Sequence, residues 1–364
     1  MKIAVISFTS RGKSLAHTVK EALEARGHQV WEAVKNSRDE RSVTEPLSQW
    51  TGRQFQEKEA LIFIGAAGIA VRAIAPWIQS KAKDPAVLVA DEGGRYCIPI
   101  LSGHMGGANA LACELEKALS MEAVLTTATD VNGKWAVDVF AVKNGLWIRD
   151  LGKAKEISAK ILREQRVTLQ LQNGKGCISG NLPGEVTYIE EAEKFCRKSD
   201  ISIGIWKPSA SGSGGVSAEA LPPDTDKTLY LIPKCVVLGI GCRKGATEGE
   251  IAYAVEQALR QAGIWPQSIR AVATIDRKAQ EPGLLEYCKK HFLPLQVYGA
   301  EDLRKVQGDF TASAFVESVT GVDNVCERSA VRAAGEKGAL ILAKRSFGPV
   351  TVAAAEQEWS VEFE

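Results

Sequence analysis

The sequence predicts an α/β protein: two three-layer α/β/α domains, N- and C-terminal, with a small α/β module between them. Three observations predict it. From residue 3 to about 130, and again from 236 to 355, β-rich runs alternate with helical periodicity, the rhythm of a mostly parallel sheet covered on both faces. Residues 131–206 lose that rhythm and are punctuated by Gly and Asn. The 364 residues suffice for two or three hydrophobic cores at roughly 150 residues each. The expected organisation is a Rossmann-like α/β domain over 1–132, a middle α/β module over 133–226 ending in a Pro/Gly/Ser-rich linker, and a C-terminal α/β domain over 227–364.

In order, residues 3–8 are a β-rich run, 13–26 have helical spacing with a stop at Gly27, and 29–34 are a second strand. Residues 61–65 form a third strand, and Ile69, Val71, Ala73 and Ile74 a helix ending near Pro76. Strands at 86–91 and 96–100, a helix at 107–119 and a strand at 124–127 complete the first domain. The middle module has a helix near 153–162 and strands at 167–171, 186–189 and 201–205. The segments 207–215 and 222–224 carry linker chemistry. The last domain reads as strand 236–240, helix 248–262 with a Gly263 stop, strand 269–275, helix 283–292, strand 295–298, helix 301–306, helix 326–334 and strands 339–343 and 350–355.

Composition narrows the function. Lys plus Arg number 45 and Asp plus Glu 44, a net charge of +1, unlike the basic excess of a nucleic-acid binder. The balance is local too: residues 1–130 hold 15 of each sign. Residues 1–7 are too short an apolar run for a signal peptide. The most apolar stretch, 61–78, is broken by Gly65, Gly68, Arg72 and Pro76, so no membrane span is expected. Cysteines 97, 113, 177, 196, 235, 242, 288 and 326 form no Cys-x-x-Cys pair, so no metal site is expected. Free thiols in a reducing cytoplasm fit this pattern.

Four segments could carry chemistry, because ligands of open α/β sheets bind beyond the carboxyl ends of strands. In the first, Gly65 and Gly68 precede a helix and Arg72 follows; the N–H groups and guanidinium would hold an anion, or the glycines serve only a tight turn. In the second, Asp91 and Glu92 lead to Arg95, and Ser102, Gly103, His104, Gly106, Gly107 and Asn109 follow. Asp91-Glu92 could equally be a hairpin turn. His104 is the most site-like of four histidines and would act as a base near neutral pH, whereas His17, His28 and His291 read as surface residues. The third segment holds Thr126, Thr127, Thr129 and Asp130, which would bind a ligand or cap a turn. The fourth holds Gly241, Cys242, Arg243, Lys244 and Gly245, with a capping box at Thr247 and Glu250 and with Asp276, Lys278 and Glu281 near by. Arg243, Lys244 and Lys278 would suit a polyanion, and Cys242 lacks a paired base. The residues alone stop at an enzyme or binding protein for a carboxylated or phosphorylated small molecule.

Residues 64–76, 101–109 and 126–130 resemble the cobalt-precorrin-5A hydrolase family (CbiG) of anaerobic cobalamin biosynthesis. Residues 239–245, 274–278, Gly321-Val322, 325–327 and 348–353 are similar to its C-terminal domain. Met105 stands where Leu is expected and Ala67 at a variable position; neither departure weakens the resemblance. The resemblance implies opening of a ring A δ-lactone on a cobalt tetrapyrrole and loss of the C20 carbon with its methyl as acetaldehyde, giving cobalt-precorrin-5B. It implies no cofactor, since the substrate carries the cobalt, and makes methyltransferases of the same pathway candidate partners. His104, Asp91 or Glu92 would be the base, Gly106 and Gly107 N–H groups the oxyanion donors. Arg72, Arg95, Arg243, Lys244 and Lys278 would meet substrate carboxylates. A second reading is a protein that binds or hands over a corrinoid without chemistry. A third, a nucleotide-binding enzyme, lacks its fingerprint.

Overall fold

The computed structural model describes residues 1–36, 39, 42–80, 83–172, 174–190, 199–208 and 227–363. Apart from Lys207 and Pro208, the expected linker lies outside these residues, as does Cys196. The chain divides into two compact units, Met1–Lys134 and Trp135–Glu364.

The first unit runs β1 (Lys2–Ser7), α1 (Ser10–Glu24), β2 (Gln29–Val34), α2 (Leu47–Glu57), β3 (Ala60–Ile64), α3 (Ala67–Ile74), β4 (Ala86–Ala90), β5 (Tyr96–Leu101), α4 (Ala108–Leu119), β6 (Glu122–Ala123) and α5 (Ala128–Val131). Its sheet order is β2-β1-β3-β4-β5-β6. β3 and β4 are buried along their whole length, which is why they read as unbroken apolar runs. Val19 and Leu23 of α1 pack with Leu111 and Leu115 of α4 on one face. Trp50 of α2 packs with Ala70 and Ile74 of α3 on the other. These are the three expected layers. The sequence reading lacked α2, whose N-cap, Pro46, makes no side-chain capping bond. It also placed a strand at 124–127, where the chain instead leaves β6 after Ala123.

The second unit begins with α6 (Val137–Lys143), β7 (Trp147–Ile148), α7 (Leu151–Leu162), β8 (Val167–Leu171), β9 (Gly176–Ser179), β10 (Val186–Tyr188), β11 (Ile201–Ile203) and β12 (Leu229–Ile232). Five of these strands form a sheet in the order β10-β8-β11-β12-β7. β12 pairs with β11 in parallel, so the middle sheet extends to residue 232, beyond the 226 expected from sequence.

The unit continues with β13 (Val236–Cys242), α8 (Glu248–Ala262), β14 (Ile269–Ile275), α9 (Pro282–Lys290), β15 (Leu295–Tyr298), α10 (Ala300–Arg304), α11 (Ala314–Thr320), α12 (Cys326–Ala334), β16 (Ala339–Phe347), β17 (Val350–Glu356) and β18 (Trp359–Glu362). The sheet order is β15-β14-β13-β17-β16. Ile251 and Val255 of α8 and Leu284 of α9 cover one face, and Ala330 and Ala334 of α12 the other. The capping box at Thr247 and Glu250 forms as expected. β18 pairs with β9 of the middle region, 176 beside 359 through 179 beside 362. Val361 and Phe363 enter the middle core, where Phe363 stacks on Phe140 at 4.4 Å.

Candidate active site and anion pocket

The direction of β5 decides how the first unit's candidates group. β1, β3 and β4 run parallel, so Ser7, Ile64 and Ala90 end at one edge of the sheet. Asp91–Arg95 is a reversal, and β5 returns antiparallel with Cys97 beside Ala90 and Leu101 beside Val87. β6 runs parallel to β5. Chain leaving Leu101 therefore emerges at the opposite edge, one six-residue strand or about 20 Å away, and the chain beyond Ala123, which lies beside Cys97, runs toward that edge.

His104 lies at that opposite edge. Its Nε2 is 2.9 Å from Asp130 Oδ2 and 3.3 Å from Thr129 Oγ1. Asn109, on the first turn of α4, donates from Nδ2 to the same Asp130 oxygen at 2.8 Å and to Thr127 Oγ1 at 3.0 Å. The sequence-predicted His104, Asn109, Thr127 and Asp130 thus converge. A carboxylate only accepts, so Nε2 carries the proton and the basic lone pair falls on Nδ1. The His104 side chain is 12% exposed, a site partly withdrawn from water.

The loop glycines serve close packing. A Cβ on Gly103 would meet Asn109 Oδ1 at 2.6 Å, and one on Gly106 would strike the Ser102 side chain and backbone. Ser102 takes a left-handed φ of 54° and donates its hydroxyl to the Asp84 carbonyl at 2.9 Å. It pins the turn that presents His104. One expectation fails here. The N–H groups of Gly107, Ala108 and Asn109 donate to the carbonyls of His104, Ser102 and Gly103, so Gly107 cannot be an oxyanion donor.

The first edge collects the other candidates. Asp91 accepts from Gly93 N at 3.0 Å, Arg95 N at 2.9 Å and Tyr96 N at 2.6 Å. Its carboxylate is the clamp of the reversal, which is the hairpin alternative. Glu92 accepts from Thr9 Oγ1 at 2.6 Å. Neither acid is at the His104 edge, so the two cannot act beside the histidine. Arg95 lies over the Tyr96 ring at 4.8 Å. Gly65 lacks a side chain where a Cβ would meet the Phe8 ring at 2.9 Å; Gly68 lies within α3, and exposed Arg72 reaches back along that helix toward it.

The C-terminal module has a cavity of ≈ 640 Å³ at the end of β13. Cys242, Arg243, Lys244 and Lys278 line it, together with Lys344, Thr351, and Phe315 and Val319 of α11. Asp276, expected here, is not in the lining; its Oδ1 accepts from Arg277 N at 2.7 Å. Glu281 takes Lys278 Nζ at 2.8 Å and Gly245 N at 2.5 Å, and these bonds hold its carboxyl below the ordinary range. Burial pushes the Cys242 thiol up, and pushes Cys326 up to about 11. Neither is an activated nucleophile. Among the described residues, no group of three His, Cys, Asp or Glu side chains is arranged to hold a metal ion.

Three family models match the chain in order: cobalamin synthesis G N-terminal over residues 49–130, cobalamin biosynthesis central region over 135–233, and cobalamin synthesis G C-terminus over 236–355. A cobalt-precorrin-5A hydrolase of Salmonella typhimurium is 33% identical over 76% of this chain and 76% of its own. The chain belongs to the CbiG family. A second relative of that name, from Priestia megaterium, is 30% identical over 83% of this chain and 79% of its own. A probable cobalt-precorrin-5A hydrolase of Methanocaldococcus jannaschii is 29% identical over 98% of this chain and 99% of its own. The CbiG N-terminal match contains His104, Asn109 and Asp130, and the CbiG C-terminal match contains the whole cavity lining. One contributor escaped the sequence reading of this CbiG chain, Lys344 as a lining cation, while Thr129, named there among the candidate hydroxyls, lies beside His104.

Proposed function

We propose that the chain hydrolyses the ring A δ-lactone of cobalt-precorrin-5A and releases the C20 fragment as acetaldehyde, with His104 as the base. The observation that carries this assignment is the His104–Asp130 contact at 2.9 Å, braced by Asn109. His104 takes a proton from water as the water oxygen adds to the lactone carbonyl. The acyl C–O bond of the lactone then breaks, and the imidazolium returns its proton to the leaving oxygen, which stays on C20 as its hydroxyl. Asp130 holds the ring and stabilises the imidazolium. In the second step the C20 hydroxyl gives its proton to the same base and its O–H electrons form the aldehyde C=O. The C20–ring bond breaks, its electron pair enters the macrocycle, and a proton is taken up there.

No step draws on a cofactor of the protein; cobalt belongs to the substrate. The cytoplasm is the expected place of action, with pathway methyltransferases as expected neighbours. No helix among the described residues is long and apolar enough to cross a membrane. The test is acetaldehyde release from cobalt-precorrin-5A by wild type and His104→Ala. Wild-type turnover by the variant would remove the histidine from the mechanism; no release by wild type would remove the reaction.

A further inference from the structure

We propose that a second cavity of the C-terminal module, walled by α8 and α9, binds a small planar aromatic carboxylic acid. Its volume is ≈ 630 Å³. β13 and β14 run parallel, and this cavity lies where they begin, between Lys234 and Ile269, at the other end of the sheet from the β13 cavity. Val255 and Leu259 of α8, Ile269 of β14 and Tyr287 of α9 form its floor, on the outer skin of the module's main core. Two polar groups at this floor are left without partners. Tyr287 is 3% exposed and lines the cavity, and its hydroxyl makes no hydrogen bond among the described residues. Gln267, also in the lining, has its Oε1 buried without a donor. Unpaired polar groups of this kind destabilise a fold. A ligand group that accepts from the hydroxyl, and donates to the amide oxygen once the side chain rotates inward, removes that cost. An apolar wall of this size with a few polar groups is the make-up of a small-molecule site.

The rim sets the rest of the ligand. Lys234 and Arg270 stand on it. Lys234 forms no ion pair among the described residues, and Arg270 donates from Nη1 to the neutral Gln357 Oε1 at 2.8 Å. Among the described residues the lining holds one acid, Glu256, whose charge Lys207 faces from outside the lining. The rim is therefore left positive and favours one carboxylate. Its aromatic groups favour a flat body. Phe292 holds a left-handed φ of 53° with its ring 93% exposed, so this residue bears backbone strain and an unpacked ring together. Trp147 of β7 lines the same cavity, and the His291 ring packs on Tyr287 at 4.4 Å. A planar ring in the cavity gives these surfaces something to stack on. An aliphatic acid would meet the cations and leave the aromatic faces in water; an uncharged ring would do the reverse.

This site is independent of the hydrolase reading. The probe is indole-3-acetate, a planar ring with one N–H and one carboxylate, titrated into the full chain and followed by saturation-transfer NMR. Wild type should bind it saturably with a Kd below about 1 mM. Indole without the acid, and acetate without the ring, should each bind at least about tenfold more weakly. Lys234→Gln, a surface change, and Tyr287→Phe, which removes only the hydroxyl, should each weaken binding about three- to tenfold. Ala252→Trp, which fills the cavity from α8, should abolish it with an unchanged circular dichroism spectrum. His104→Ala and the Arg243→Gln/Lys344→Gln variant of the β13 cavity should bind as wild type does. No saturable binding by wild type overturns the proposal, as does wild-type affinity in both Lys234→Gln and Tyr287→Phe or in folded Ala252→Trp. Binding lost in Arg243→Gln/Lys344→Gln also overturns it, by placing the acid in the other cavity. So does a wild-type dimer that Phe292→Ser dissociates, which would give the cavity to a second copy of the chain.

Discussion

The His104 edge and the C-terminal cavity are both loop clusters at the end of a sheet, and they use carboxylates in opposite ways. At the first, Asp130 takes Asn109 and His104 on one oxygen, so a charged group keeps a second ionisable group oriented. At the second, Glu281 and Glu327 accept backbone N–H bonds from Gly245, Thr311 and Lys344, and the cations face the cavity. An acid aimed at a base orients it for proton transfer; acids occupied by backbone N–H groups leave neighbouring cations to line a cavity, although Lys278 still shares Glu281. Asp91 belongs with the second kind although it sits in the first unit, because three backbone N–H groups occupy it.

That contrast can be broken by substitution. His104→Ala should lower acetaldehyde release by about 10²- to 10⁴-fold with an unchanged circular dichroism spectrum. Asp130→Asn should lower it by about 10²-fold, since the imidazole loses its orienting charge. Glu327→Ala should act on stability instead. It strands buried donors and should cost about 3 kcal/mol in urea denaturation, with the folded enzyme still turning over. Asp91→Ala should cost about 1–2 kcal/mol in the same assay with rates within twofold of wild type. A large rate loss there would move the base to the other edge. The smallest effect is Glu281→Gln. The folded carboxyl lies below its unfolded value, so its contribution is present above the ordinary glutamate pKa and fades as pH falls through the folded one. Melting curves of wild type and Glu281→Gln should differ by a few degrees at most at pH 7 and converge in acid.

Much of this was legible in the sequence, and the rest failed for identifiable reasons. β3 and β4 announced themselves as apolar runs, and His104 stood out among glycines before a helix. Grouping Asp91 and Glu92 with His104 ignored a length argument. Five residues, Asp91 to Arg95, join β4 to β5, and a parallel crossover needs about a dozen. The short link forced an antiparallel return and sent His104 to the far edge. Lys344 was not legible, because β16 shifts register between Leu342 and Arg345 and the alternation of faces slips there. The β9–β18 pairing had no local signal, since its partners are more than 180 residues apart.

That last pairing governs the order in which the chain can be finished. Asn144 exchanges hydrogen bonds with the Glu362 backbone at 2.7 and 3.1 Å, and Phe363 closes the aromatic cluster of Trp135 and Phe140. A ribosome that has released the middle module has not yet released its last strand. The first unit can fold while synthesis proceeds; the middle core must wait, half assembled, until residues 359–363 arrive.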